Sequence, residues 1–122
     1  MINVKDQVYQ ALLNVTENVS DFYPRDWSKE LSIQYMEEDN KIAEKTSRGE
    51  TKSYVRYRID IWHRTSTSQA AVAVDSALSP LGLERTMCAD VEDPSGLKHK
   101  QMRYEGIVDV KNQFVYTGKG VD

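Results

Sequence analysis

The most regular stretch of the chain is SYVRYRIDIWHR, residues 53 to 64, in which apolar and polar positions alternate almost without a break. Val55, Tyr57, Ile59 and Ile61 fall on one parity, and Tyr54, Arg56, Arg58, Asp60 and Trp62 on the other. Period-two alternation marks a strand that lays one face on a core. Running from about Thr51 to His63, such a strand spans on the order of 40 Å, about twice the usual length, so it must twist strongly or project beyond the domain body. LSIQYMEED alternates in the same way, with Leu31, Ile33 and Tyr35 against Ser32 and Gln34. NKIAEKTSRGETK reads as a second, weaker strand that ends at a turn near Arg48-Gly49. LERTMCADV and the stretch from Leu97 to about Val110 complete the set, the latter with Met102, Tyr104, Val108 and Val110 on one face. Between them, Asp93-Pro94-Ser95-Gly96 has Pro second and Gly fourth, as a type I turn prefers.

Two segments repeat with helical spacing instead. Val4, Val8, Ala11, Leu12 and Val15 form one apolar stripe and predict a helix over 3–17, with Asn3 as N-cap and Asp6 in the first turn. In STSQAAVAVDSALSPLG, Ala70, Ala71, Val74, Ala77 and Leu78 form a stripe of mostly small residues. Ser66 with Gln69 resembles a capping box there, and Pro80 and Gly82 stop the helix. Phe22, Tyr23 and Trp27, around the helix-disfavouring Pro24, are placed to cover one end of a core. Strands joined by short turns pair antiparallel, and helices gathered on one face give a two-layer domain. The predicted fold is α+β: a mostly antiparallel, twisted sheet of about five strands with two helices packed on one face.

A chain of 122 residues suits one domain, read as 1–117 with a loose tail, TGKGVD, from which 118–122 is set apart as flexible. Hydrophobic residues at 39% and charged residues at 29% are ordinary for a globular protein. The net charge of −3, from 16 basic and 19 acidic residues, gives no global field that favours nucleic acid. The single cysteine, Cys88, cannot make an internal disulfide and suits a reducing compartment. MINVKDQVYQ holds no apolar signal core, and the longest apolar run, AAVAV, is far short of the ~20 residues a membrane span needs. A cytosolic origin is expected, and without a secretory route the glycosylation patterns at Asn14 and Asn18 mean nothing.

Candidate chemistry is thin. Cys88 with His63 or His99 would need an orienting group and a pocket to make a nucleophile, and the plainer reading is a half-buried cysteine and two surface histidines. The ligand spacing of a zinc site is absent. Asp90, Glu92 and Asp93 do not match the calcium-loop pattern and read as a turn. Glu37, Glu38 and Asp39 read as a solvated strand end rather than an acid–base pair, and Gly118-Lys119-Gly120 is not a phosphate loop. No catalytic, cofactor or metal residues are expected. The Tyr54, Arg56, Arg58, Asp60, Trp62 face has the residue types that protein interfaces favour, and is expected to contact a neighbouring subunit or another assembly component. The same face leaves a small nucleic-acid or ligand-binding module as the alternative.

VYQALLNVTENVSDFYPRDW, LSIQYMEEDN, YVRYRIDIWHRTSTSQAAVAVDSALSPLGLERT and DPSGLKHKQMRYEGIVDV together resemble the tail completion, or tail terminator, proteins of long-tailed phages and prophages. RYRIDIWHRTST and KQMRYEGIVDV carry the likeness most specifically. The resemblance implies a fold similar to the lambda-type tail terminator and a non-enzymatic role in head–tail joining. It implies a homo-oligomeric ring, usually of six subunits, that caps the head-proximal end of the tail tube. Partners would be the major tail tube protein and a head-completion or connector protein, with DNA passing through the lumen unread. The protein would then be made in the host cytoplasm and end in the virion tail.

Overall fold

A computed structural model shows an α+β fold, a mostly antiparallel mixed sheet with two helices. The structure describes residues 1–24, 27, 29–110 and 115–116. In order, the elements are α1 (Lys5–Leu12), β1 (Val19–Ser20), β2 (Leu31–Thr46), β3 (Gly49–His63), α2 (Ser68–Leu78), a 3-10 turn (Ser79–Leu81), β4 (Glu84–Val91), β5 (Lys98–Asp109) and β6 (Val115–Tyr116). Across the sheet they run β1-β2-β3-β5-β4, with β6 paired to β5. The β1–β2 pair is parallel and all the others are antiparallel.

Both helices cover the same face of the sheet. Val8 and Leu12 of α1 and Ala71, Val74 and Leu78 of α2 join Ile33, Tyr35, Val55, Tyr57, Ile59, Ile61, Met102, Tyr104 and Val108 in one core. The strand residues belong to the parity that the alternation predicts. Two buried tyrosines tie the layers with directional bonds. Tyr57 Oη accepts from the Val4 backbone N–H at 2.9 Å, and Tyr104 Oη donates to Asp75 Oδ1 at 2.7 Å. Burial pushes both phenols well above their ordinary range. The predicted stop of α2 is also found: the 3-10 turn contains Pro80, and Gly82 takes the left-handed conformation with φ 86°.

Several sequence expectations shift. Residues 31–46 form one strand rather than two, and the turn falls just before Gly49, whose φ is +120°. The alternation fades there because Lys41 to Gly49 are exposed on both faces, so no core selects a parity. The long β3 therefore does project beyond the body, paired with β2 as an arm. α1 ends at Leu12, where the Asn14 and Val15 N–H groups tighten onto the carbonyls three residues back, and beyond it the Thr16 hydroxyl accepts from the Asn18 N–H. The N-cap is Val4 and not Asn3, whose Oδ1 accepts from the Lys5 N–H at 3.1 Å from one position further out. α2 begins at Ser68, and Ser66 supplies its hydroxyl to the Ser68 N–H without forming a capping box with Gln69. Phe22 and Tyr23 do not cover the core: they are 70% and 74% exposed, and Pro24 turns inward in their place. Val110 and the tail 118–122 were both assigned from the sequence; β5 ends at Asp109, and the tail lies outside the described residues.

Candidate functional site: the bare face of the sheet

The parity of β3 that points away from the helices is the one that carries Tyr54, Arg56, Arg58, Asp60 and Trp62. Register places Ile107, Glu105, Arg103, Gln101 and His99 of β5 beside them, in that order. β2 contributes Ser32, Gln34 and Met36 on its other side. The five expected residues thus share one face, but they divide into two groups.

Trp62 and Asp60 belong to an enclosed end. Asp60 is 2% exposed and Trp62 4%. The His99 ring stacks on Trp62 with centroids 4.4 Å apart, and Trp27 meets Trp62 edge-on at 5.4 Å. His99 Nε2 lies 2.8 Å from Asp60 Oδ1, and its Nδ1 lies 3.4 Å from Asp93 Oδ2. Trp62 Nε1 donates to Asp93 Oδ2 at 2.8 Å. Hydrogen bonds from Ser95 and Trp62 pull the Asp93 carboxyl down to about 2. These groups satisfy one another, and no buried side-chain nitrogen or oxygen among the described residues lacks a partner.

Tyr54, Arg56 and Arg58 belong to the open end and are half-buried. Their organiser is Glu38. In register, Glu37 faces Tyr57 and Asp39 faces Arg56, so Glu38 is the extra residue of a β-bulge. A bulge re-aims a side chain, and here the carboxylate is turned into the arginines. Arg103 donates to it twice, at 2.8 and 3.2 Å, Arg56 approaches at 3.3 Å and Arg58 at 3.5 Å. The Arg103 hydrogen bonds hold the Glu38 carboxyl below its usual range against the opposing effect of burial. Arg58 Nε also donates to Asp60 Oδ2 at 2.8 Å, and Tyr54 Oη donates to Glu105. Burial and that contact raise the Tyr54 phenol. Arg56, Arg58 and Arg103 are matched by Glu38, Asp60 and Glu105, so the face is charge-balanced and internally cross-braced.

Reasoning from sequence missed Glu38, Arg103, Glu105 and His99. Glu37, Glu38 and Asp39 lie within β2 and not in a solvated strand end. His99 is nearly enclosed, with 10% of its side chain exposed, whereas Cys88 is exposed; both depart from expectation. Cys88 pairs with Met102 and takes the helix-side parity, whereas His99 pairs with Trp62 on the bare face. His63 shares the parity of Cys88 but lies beyond Ile59, which faces Met102, by four residues along β3. The fold therefore does not assemble a Cys–His pair. Asp93 to Gly96 do form a turn, with the Gly96 N–H donating to the Asp93 carbonyl at 3.1 Å. Among the described residues no group of three or more His, Cys, Asp or Glu could hold a metal ion, and Gly118-Lys119-Gly120 lies outside them. No protein-family model matches the sequence, and a search of curated proteins returns no match.

Proposed function

We propose that this chain is a structural, non-enzymatic component of a phage or prophage tail. It caps the head-proximal end of the tail tube as a ring usually of six subunits, stops further addition of tube protein, and presents a surface to the head connector. The observation that carries this reading is where the two most specific segments of the resemblance fall. RYRIDIWHRTST and KQMRYEGIVDV supply most of β3 and β5, which pair at the middle of the sheet and build its bare face. No helix among the described residues lies over that face, and its fixed arginines and aromatics are the residue types that make protein contacts.

Charge balance fits the same role. A protein that lines a DNA passage without reading it must not hold phosphates, and the arginines here are already occupied by carboxylates. The same occupancy weighs against the nucleic-acid module that the sequence left as an alternative. No helix among the described residues is long and apolar enough to cross a membrane. In this reading the protein is made in the host cytoplasm and ends at the head-proximal end of the tail.

Electron microscopy of the protein mixed with tail tubes tests the proposal. Rings at one end of tubes of uniform length are expected with the natural sequence. A variant with Arg56→Glu and Arg58→Glu, shown to be folded by circular dichroism, should leave ends bare and tubes overlong. Unchanged capping by that variant removes the bare face from the mechanism. Failure of the natural sequence to mark either end removes the tail role altogether.

A further inference from the structure

The two ends of the sheet differ in shape and charge. At one end the β2–β3 hairpin runs past the body: every residue from Lys41 to Gly49 is exposed, yet pairing continues to Thr46↔Gly49. Among the described residues β5 pairs with β3 no further than Lys52, which faces Glu44, so the arm is two-stranded from there to its tip, with Lys41 and Ile42 at its base. Between Lys41 and Lys52 the arm holds four basic residues against two acidic ones, a net +2, which leaves −5 on the remainder of a chain of net −3. Lys45 and Arg48 have no ion-pair partner among the described residues, and Ile42 on the same arm is 56% exposed. Glu50 ties the base of the arm to the Met1 amino group at 2.8 Å, and the exposed remainder contributes little to the fold, since an isolated hairpin is marginal in water.

At the opposite end, roughly 50 Å away along β3 at ~3.3 Å per residue, the surface is concave. A cavity of about 650 Å³ lies between the start of α2 and the β4–β5 turn. Asp90, Glu92 and Asp93 line one wall, Ser66 lines the other, and Lys98 is the cationic side chain among the lining residues. With histidine uncharged the lining carries −2, equal and opposite to the arm. Glu92 has no ion-pair partner among the described residues, and the Asp90 side chain remains 81% exposed although it pairs with Lys100.

We infer that the arm of one copy seats in the acidic cavity of the next copy. Protrusion and socket lie on opposite ends of the same chain, so the contact is heterologous and propagates head to tail, closing into a ring where its rotation allows. The inference rests on the tail reading for closure into a ring, whereas the arm–cavity contact itself needs neither tube nor head. A second copy supplies the complement in equal number and of opposite sign, which is the arrangement that steers association and fixes register.

Sedimentation of the full chain in about 50 mM and about 500 mM salt, which changes screening several-fold, tests it. The natural sequence should assemble at low salt and dissociate at high salt. An arm variant, Lys45→Glu with Arg48→Glu, and a cavity variant neutralised by Asp90→Asn with Glu92→Gln, which offers nothing to a reversed arm, should each associate at least tenfold more weakly. Mixed in equal amounts they should form dimers that stop at two subunits, because each brings one working half. The substituted positions are exposed, and circular dichroism is the check that each variant is folded. Assembly of either variant like the natural sequence, failure of the mixture to recover association, or a natural chain that stays monomeric at about 1 mM in low salt would overturn the inference. So would an arm variant that loses binding to a labelled DNA duplex with self-association unchanged. Capping of tube ends by protein carrying all four changes overturns the arm contact and leaves the tail role standing. Salt-sensitive assembly with no effect on tubes does the reverse.

Discussion

The two faces of β3 hold their structure by different physics. On the helix side Val55, Tyr57, Ile59 and Ile61 are each 0% exposed, and apart from the bond between Tyr57 Oη and the Val4 N–H what holds them is burial, which is non-directional and scales with apolar area. On the bare side Arg56 and Arg58 are half-exposed and are held by named partners at defined distances, with Glu38 as their common acceptor. Apart from Tyr57, the first face tolerates residues of the right size and apolarity, whereas the second depends on individual atoms. A surface meant to meet a partner gains from that dependence, because cross-braced side chains lose less freedom on docking.

The largest expected effect lies on the helix side. Ile59→Ala removes a fully buried side chain between the sheet and the helices and should cost about 3 kcal/mol through lost burial and the cavity left behind. Urea unfolding followed by circular dichroism measures it. A loss below about 1 kcal/mol would mean that the layers collapse onto the gap, and that the helix side is packed far less firmly than its burial indicates.

The legibility of the sequence follows the same division. The core parities of β3 and β5, the stripe of α2 and its stop at Pro80 and Gly82 could all be read, because burial imposes a period and these residues obey it. The arm could be read only as a weak strand separate from residues 31–39, because Lys41 to Gly49 have no covered face and hence no parity to display. The bare face was legible as a set of residue types on one strand but not as a network. Arg103 and His99 come beside Arg58 and Trp62 through a register that no local pattern encodes. Glu38 was least legible of all, since the bulge that turns it inward looks, in sequence, like three carboxylates in a row. Phe22 and Tyr23 show the converse error: large apolar residues beside a proline invite assignment to a core that they do not enter.

Asp93 gives the intermediate effect and a pH signature at the enclosed end. Its folded pKa, about 2, lies below the ordinary carboxylate value near 3.8 because Ser95 and Trp62 donate to it. A depressed carboxylate contributes stability that is complete above its unfolded pKa and is lost as pH falls through its folded one. Asp93→Asn should therefore lower stability by about 1–2 kcal/mol at neutral pH and shift Trp62 fluorescence. The difference between the two proteins should shrink between about pH 4 and pH 2. A difference that stays constant over that range would show that the amide disturbs the turn by shape and not by charge.

The smallest effect falls on Glu38, and it isolates charge from geometry on the open end. Glu38→Gln keeps the length of the side chain and one acceptor oxygen, but removes the charge that three arginines share. Because 14% of the Glu38 side chain is exposed and each arginine retains solvent or a second partner, the loss at neutral pH should be about 1 kcal/mol and not the larger penalty of a fully buried pair. The Glu38 carboxyl is held below its usual range, chiefly by Arg103, so the stabilisation is present at and above that range and disappears as pH falls through the lowered value. Once protonated, the natural side chain is the neutral near-isostere of its replacement, and the two stability curves should merge in acid. Curves that stay parallel into that acid range would mean that the bulge and its hydrogen-bond geometry, and not the carboxylate charge, hold Arg56, Arg58 and Arg103 in place. The bare face would then be organised by backbone shape, and charge reversal at Arg56 and Arg58 would disturb partner contact without loosening the face itself.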